Sequence, residues 1–140
     1  MAATEKPVVL VIEDDPPVRE LLDDVLHDEG YEVVAVHDGA IALQVIESLK
    51  VDLITLDLDL PGLTGSELLN LLQKRKIQIP PVVVVTGKIP VKRQVKQMAQ
   101  AVIMKPFDID ELVQVVLDLL PRDMTKARAR LKRRGVGEED

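Results

Sequence analysis

Four short apolar runs, mostly β-branched, each end in a reactive polar side chain, and this pattern constrains the fold more than any other feature of the chain. Val8-Val9-Leu10-Val11-Ile12 runs into Glu13-Asp14-Asp15, and Leu53-Ile54-Thr55-Leu56 into Asp57. Val82-Val83-Val84-Val85 runs into Thr86, and Ala101-Val102-Ile103-Met104 into Lys105-Pro106. Runs of this length, rich in Val and Ile, read as strands buried on both faces. If they are parallel, all four polar ends meet at the carboxyl edge of one sheet, where open α/β folds place their ligand sites. Carboxylates, a hydroxyl and an ammonium gathered there can hold a divalent cation and a phosphoryl group together.

The segments between the runs are helical in pattern. Strand 1 is expected over about 8–13, and Pro16-Pro17 then opens a helix, since proline is tolerated in a first turn. That helix runs to about Glu29, with Val18, Leu21, Leu22, Val25 and Leu26 at helical spacing and Gly30 as its stop. A second strand is expected over 32–36 and a second helix over 40–49, after the Asp38-Gly39 turn. Strand 3 covers 52–57, and the Pro- and Gly-containing segment 60–65 is a loop before a Leu-rich helix over 66–76. Strand 4 covers 82–86, a short polar helix 90–100, strand 5 101–104, and a last helix 108–120, capped by Asp108 and ended by Pro121. Alternating strands and helices imply a parallel sheet with right-handed crossovers and helices on both faces.

A chain of 140 residues fits one domain, and its apolar content of 46% is enough for a packed core. Tyr31 and Phe107 are the only aromatic residues, so the core is built from Val, Leu, Ile and Ala, and base stacking on aromatic platforms is excluded. There is no cysteine, hence no disulfide, thiolate zinc site or thiol nucleophile. The first residues lack the apolar stretch of a signal peptide, and no apolar run approaches the roughly 18 residues of a membrane span. A cytoplasmic protein with no membrane contact is the expectation. Residues 1–120 carry 11 basic and 20 acidic side chains, and residues 121–140 carry 7 and 4. The body is acidic and the end basic, which divides the chain into a domain over 1–121 and a basic tail, linker or helical extension over 122–140.

Glu13-Asp14-Asp15, Asp57 followed by Leu60-Pro61-Gly62, Thr86-Gly87, and Lys105-Pro106-Phe107 stand in order at strand ends. Together they resemble the receiver domain of two-component response regulators, over roughly residues 7–120. The resemblance implies a flavodoxin-like (βα)5 doubly wound parallel sheet with strand order 2-1-3-4-5. It implies that Asp57 accepts a phosphoryl group from a histidine kinase or histidine phosphotransfer protein, and that the switched domain controls a downstream protein target. Such a domain is a phosphoacceptor and not an enzyme in the ordinary sense. Crowded carboxylates need a cation to stay ionised together, and Mg²⁺ prefers oxygen ligands. By alignment of the motif, Asp57 and Asp15 are direct Mg²⁺ ligands, Asp14 acts through water, and Asp59 contributes its backbone carbonyl. Lys105 balances phosphoryl charge, Thr86 donates a hydrogen bond to a phosphoryl oxygen, and the peptide bond before Pro106 is cis.

The chain departs from the family at two places. Val102 stands three positions before the lysine, where the family carries an aromatic switch residue. Eighteen residues separate Thr86 from Lys105, fewer than is common, so the fourth helix or its loop is expected to be short or irregular. Asp59 and Lys88, each two residues past a functional group, are expected to flank the phosphoryl group, to pair across it and to tune its lifetime. His27 and His37 read as ordinary surface residues, and Met98 and Met104 as core fillers.

Two other functions compete. The spacing Asp57-Leu58-Asp59 superficially fits a phosphatase of the haloacid dehalogenase type, but Pro61 stands where that motif wants Thr or Val, and the acid pair precedes the nucleophile. An interaction domain that has lost phosphorylation is the third class. The tail (Lys126, Arg128, Arg130, Lys132, Arg133, Arg134) reads as a solvated extension, a partner-docking segment or, least well, a nucleic-acid contact. Twenty residues hold no DNA-binding fold, so nucleic acid is unlikely as a partner of this chain alone.

Overall fold

A computed structural model describes residues 6–122. Strands and helices alternate without exception: β1 (Val8–Ile12), α1 (Pro16–Asp28), β2 (Glu32–Val36), α2 (Gly39–Ser48), β3 (Leu53–Leu56), α3 (Gly65–Lys74), β4 (Val82–Thr86), α4 (Arg93–Met98), β5 (Ala101–Met104) and α5 (Ile109–Leu119). All neighbouring strands are parallel, in the order β2-β1-β3-β4-β5. This is the doubly wound order that the receiver resemblance implied. The basic tail lies outside the described residues, apart from Arg122, which pairs at 3.2 Å with Glu29, the residue that follows α1.

Because the central strands are buried on both sides, alternate residues feed two separate cores. Val9, Val11, Leu53, Val83, Val85 and Ile103 face α1 and α5, where Leu22, Leu26, Leu112 and Val116 meet them. Leu10, Ile12, Ile54, Leu56, Val82 and Val84 face α2, α3 and α4, against Ala42, Leu68, Leu69, Leu72 and Val95. Tyr31 is fully buried in the first core, and its hydroxyl donates to the Leu120 carbonyl, tying the end of α5 to the start of β2. Burial pushes this phenol up to about 12.

The helix ends follow local chemistry. Gly30, at φ +102°, closes α1 as expected, with the N–H of Tyr31 reaching back to the Leu26 carbonyl. A capping box starts α3, one residue earlier than expected: Thr64 accepts from the Glu67 N–H while Glu67 accepts from the Thr64 N–H. The spacing Thr64-x-x-Glu67 was the available signal for that start. The fourth helix is shorter than the 90–100 stretch, only six residues. Gln100 is already drawn into the sheet, its N–H bonding the Val82 carbonyl and its side chain accepting from the Val82 N–H. β5 is the edge strand of the sheet and is only partly covered. Met104 is therefore 40% exposed instead of filling the core, while Met98 does pack against it.

Candidate functional site

β1 and β3 stop one residue before their acids, so Glu13 and Asp57 stand just past the strand ends. The register continues through them: Ile12 lies beside Leu56, and the Asp57 N–H bonds the Ile12 carbonyl at 3.0 Å. Side-chain alternation then decides which groups meet. Glu13 follows Val11 by two residues, Asp57 follows Thr55, and Lys105 follows Ile103. All three therefore emerge on the α1–α5 side of the sheet. Thr86 follows Val84 and belongs to the other side.

The geometry bears this out for the first three. The Lys105 ammonium sits 2.8 Å from Glu13 Oε1 and 3.1 Å from Asp57 Oδ2, bridging two carboxylates that are almost wholly shielded from solvent. Glu13 also accepts from the Asp15 N–H. Burial pushes the Glu13 carboxyl above its ordinary value, against the hydrogen bond from Lys105 and with the help of the nearby Asp57 charge. Burial draws the Lys105 ammonium down, but its hydrogen bonds to Glu13 and Asp57 and their negative charge outweigh that and hold it above its ordinary value. The Lys105–Pro106 bond is cis, as is Ile89–Pro90.

The carboxylates that converge are Glu13, Asp14 and Asp57, each offering an oxygen within 4.8 Å of the others. This differs from the sequence expectation by one position. Asp15 is exposed and is the N-cap residue of α1, outside this group among the described residues. In the run Glu-Asp-Asp the alternation selects the first acid, Glu13, for the buried face. Glu13 is the carboxylate of this cluster that motif alignment passed over, and counting two from Val11 would have found it.

Two backbone N–H groups bond to the Asp57 and Thr86 side chains. The Asp59 N–H donates to Asp57 Oδ1 at 3.0 Å, and the Lys88 N–H donates to the Thr86 hydroxyl oxygen at 3.0 Å. Thr86 is fully buried, yet its own O–H remains available as a donor. Asp59 and Lys88 are exposed, and no ion pair joins them among the described residues, contrary to the expected pairing across the site. Val102 lies beside Val84 on edge strand β5 and is 36% exposed. Gly65 permits the close seating of α3: a Cβ there would stand 2.6 Å from the Asp57 carbonyl oxygen and 2.8 Å from Leu58 Cα.

A buried carboxylate at a strand end, two further acids beside it, and a lysine and threonine from the next strands define a phosphoryl-handling receiver site. The chain belongs to the response regulator receiver domain family, which matches residues 9–117. It is 35% identical over 128 residues to the DNA-binding response regulator MtrA of Mycolicibacterium smegmatis, covering 89% of this chain and 50% of that protein. The chain thus spans about half the length of MtrA. Sporulation initiation phosphotransferase F of Bacillus subtilis is 30% identical over 115 residues, covering 81% of this chain and 93% of that protein. Among solved structures, the response regulator TrrA of Thermotoga maritima in complex with Mg²⁺-BeF is similar at a TM-score of 0.73 and 32% identity, with 81% of this chain and 99% of that one covered. TrrA has also been solved in complex with the histidine kinase ThkA.

Among the described residues no helix is long and apolar enough to cross a membrane.

Proposed function

We propose that Asp57 accepts a phosphoryl group from a phosphohistidine on a histidine kinase or histidine phosphotransfer protein, and that the phosphorylated domain controls the binding of a downstream protein. The observation that carries this is the buried Asp57 sharing the Lys105 ammonium with Glu13, with Asp14 alongside. An Asp57 oxygen bonds to phosphorus as the phosphorus–nitrogen bond of the donor breaks, its electron pair returning to the imidazole. Phosphoryl transfer asks the protein mainly for position and charge neutralisation. Lys105 supplies one positive charge, and the Thr86 O–H supplies a donor to a phosphoryl oxygen.

The donor set suits a hard cation, since it is all oxygen and carries more negative than positive charge. Mg²⁺ would be held by Asp57 and Asp14, with Glu13 beside them and the Asp59 carbonyl as a further oxygen. When bound it neutralises charge on the phosphoryl oxygens. Asp59 and Lys88 flank the site and tune how fast phosphate is lost. Cytoplasmic placement, where a kinase would meet the domain, accompanies the proposal. The complexes of TrrA with Mg²⁺-BeF and with a histidine kinase support both the metal and the class of donor.

The test is incubation with Mg²⁺ and acetyl phosphate, followed by intact mass. A one-phosphate gain that is absent in Asp57→Asn supports the proposal. No gain with Mg²⁺ bound points instead to a phosphorylation-independent interaction domain, and continuous release of free phosphate points to a phosphatase.

A further inference from the structure

β1 ends at Ile12, so the carbonyls of Glu13 and Asp14 have left the strand, and α1 does not begin until Pro16. Both carbonyls are satisfied by one side chain. Arg19 Nη1 lies 3.0 Å from the Glu13 carbonyl oxygen and 3.3 Å from that of Asp14. Arg19 is itself fixed in the first helical turn by its N–H to the Asp15 carbonyl, at 2.9 Å. It is half-buried, and no carboxylate stands within ion-pair distance of it among the described residues. The guanidinium is therefore committed to the backbone of the two residues whose side chains turn toward Asp57.

Resting on the metal reading above, we propose that Arg19 is a positioning residue for Mg²⁺. It fixes the two peptide units that carry the Glu13 and Asp14 carboxylates, and so presets their convergence on Asp57. Both bonds leave one guanidinium nitrogen, Nη1, held in a rigid planar group, whereas an ammonium is a rotating point charge on a flexible stem. Outer residues that orient ligands in this way typically change metal affinity about 10- to 100-fold when removed.

The experiment measures the Mg²⁺ dissociation constant calorimetrically for wild type, Arg19→Met and Arg19→Lys, below the melting temperature each shows in EDTA. Arg75→Met, which removes only an exposed pair with Glu47, is the control. About tenfold weaker binding in Arg19→Met is expected, with Arg19→Lys in between and Arg75→Met unchanged. The amide resonance of Asp15, whose N–H is held by Glu13, should move in the Arg19 variants before any metal is added. Affinities within twofold of wild type in both Arg19 variants would overturn the role. If Arg19→Met does not fold, Arg19→Lys decides: at least threefold weaker binding supports the role, and anything less overturns it. Absence of Mg²⁺ binding by wild type itself would overturn the metal reading and this inference together, an outcome distinct from failure of Arg19 alone.

Discussion

Replacing Lys105 with methionine tests whether one ammonium is what allows the receiver site to fold with its acids ionised. The substitution keeps an unbranched side chain and removes the only cation within ion-pair distance of Glu13 and Asp57 among the described residues. At pH 8 in EDTA it leaves two buried carboxylates facing each other. Removing one partner of a buried pair costs about 3–5 kcal/mol. Because Lys105 is 22% exposed and Glu13 can take up a proton, the lower end of that range, about 3 kcal/mol, is expected. For a domain of this size that is a fall in Tm of roughly 10 °C.

The pH dependence separates charge from packing. The folded-state value of Glu13 already lies above its ordinary 4.5, and loss of the lysine hydrogen bond and charge drives it higher. An acid raised in the folded state stabilises fully below its unfolded value and loses that contribution as pH rises through the folded value. The variant should therefore approach wild type near pH 5 and fall away steadily toward pH 8. Wild-type Lys105 is itself raised, so its contribution is constant over that range and is lost only above 10.5. Mg²⁺ should restore more stability to the variant than to wild type, because it supplies the missing charge. Thermal unfolding by circular dichroism at pH 5, 6, 7 and 8, with EDTA or Mg²⁺, reads all of this. An equal loss at pH 5 and pH 8 would show that packing, not charge, is what the lysine contributes.

Other consequences can be checked on the same footing. Thr55 Oγ1 is buried in the sheet without a hydrogen-bond partner, so Thr55→Val should stabilise the fold by about 1–2 kcal/mol in urea titrations and leave phosphorylation intact; an unchanged midpoint would refute this. Tyr31 is the only tyrosine, so the phenolate absorbance near 295 nm should titrate at about 12 in the folded protein and near 10 in denaturant; a folded midpoint near 10 would contradict its burial. Gly65→Ala should push α3 off the Asp57–Leu58 backbone, costing about 1–3 kcal/mol and slowing phosphorylation by acetyl phosphate; full activity would show that the helix yields freely. Simultaneous alanine substitution of Asp59 and Lys88 should change the phosphate lifetime without changing Mg²⁺ affinity, timed by loss of the phosphorylated mass.

How much of this the amino-acid order carried depends on which physical rule was at work. The strands were legible from their apolar, Val- and Ile-rich runs, unbroken in the central strands that are buried on both faces, and three of the five were bounded to the residue: Glu32–Val36, Val82–Thr86 and Ala101–Met104. The fourth helix was less so, since its end is set by the non-local bonds between Gln100 and Val82. Met104 read as core because it is apolar, yet burial needs a covering element, and on the edge strand β5 it stays exposed.

The acid pair shows the difference between matching a motif and following the chain. Three consecutive acids leave a motif free to slide by one, and sliding placed Asp15 where Asp14 stands. Sheet geometry does not slide, because a shift of one residue sends every side chain to the opposite face. Val11, Thr55 and Ile103 each lie in the core beneath α1 and α5, or in line with it. Two residues beyond each must therefore emerge together, and those residues are Glu13, Asp57 and Lys105. Thr86 follows Val84 out of the other core, so its side chain emerges on the opposite face of the sheet from Lys105. The alternation that builds the two cores also puts the lysine that bridges Glu13 and Asp57 on one face and the threonine proposed to meet the phosphoryl group on the other.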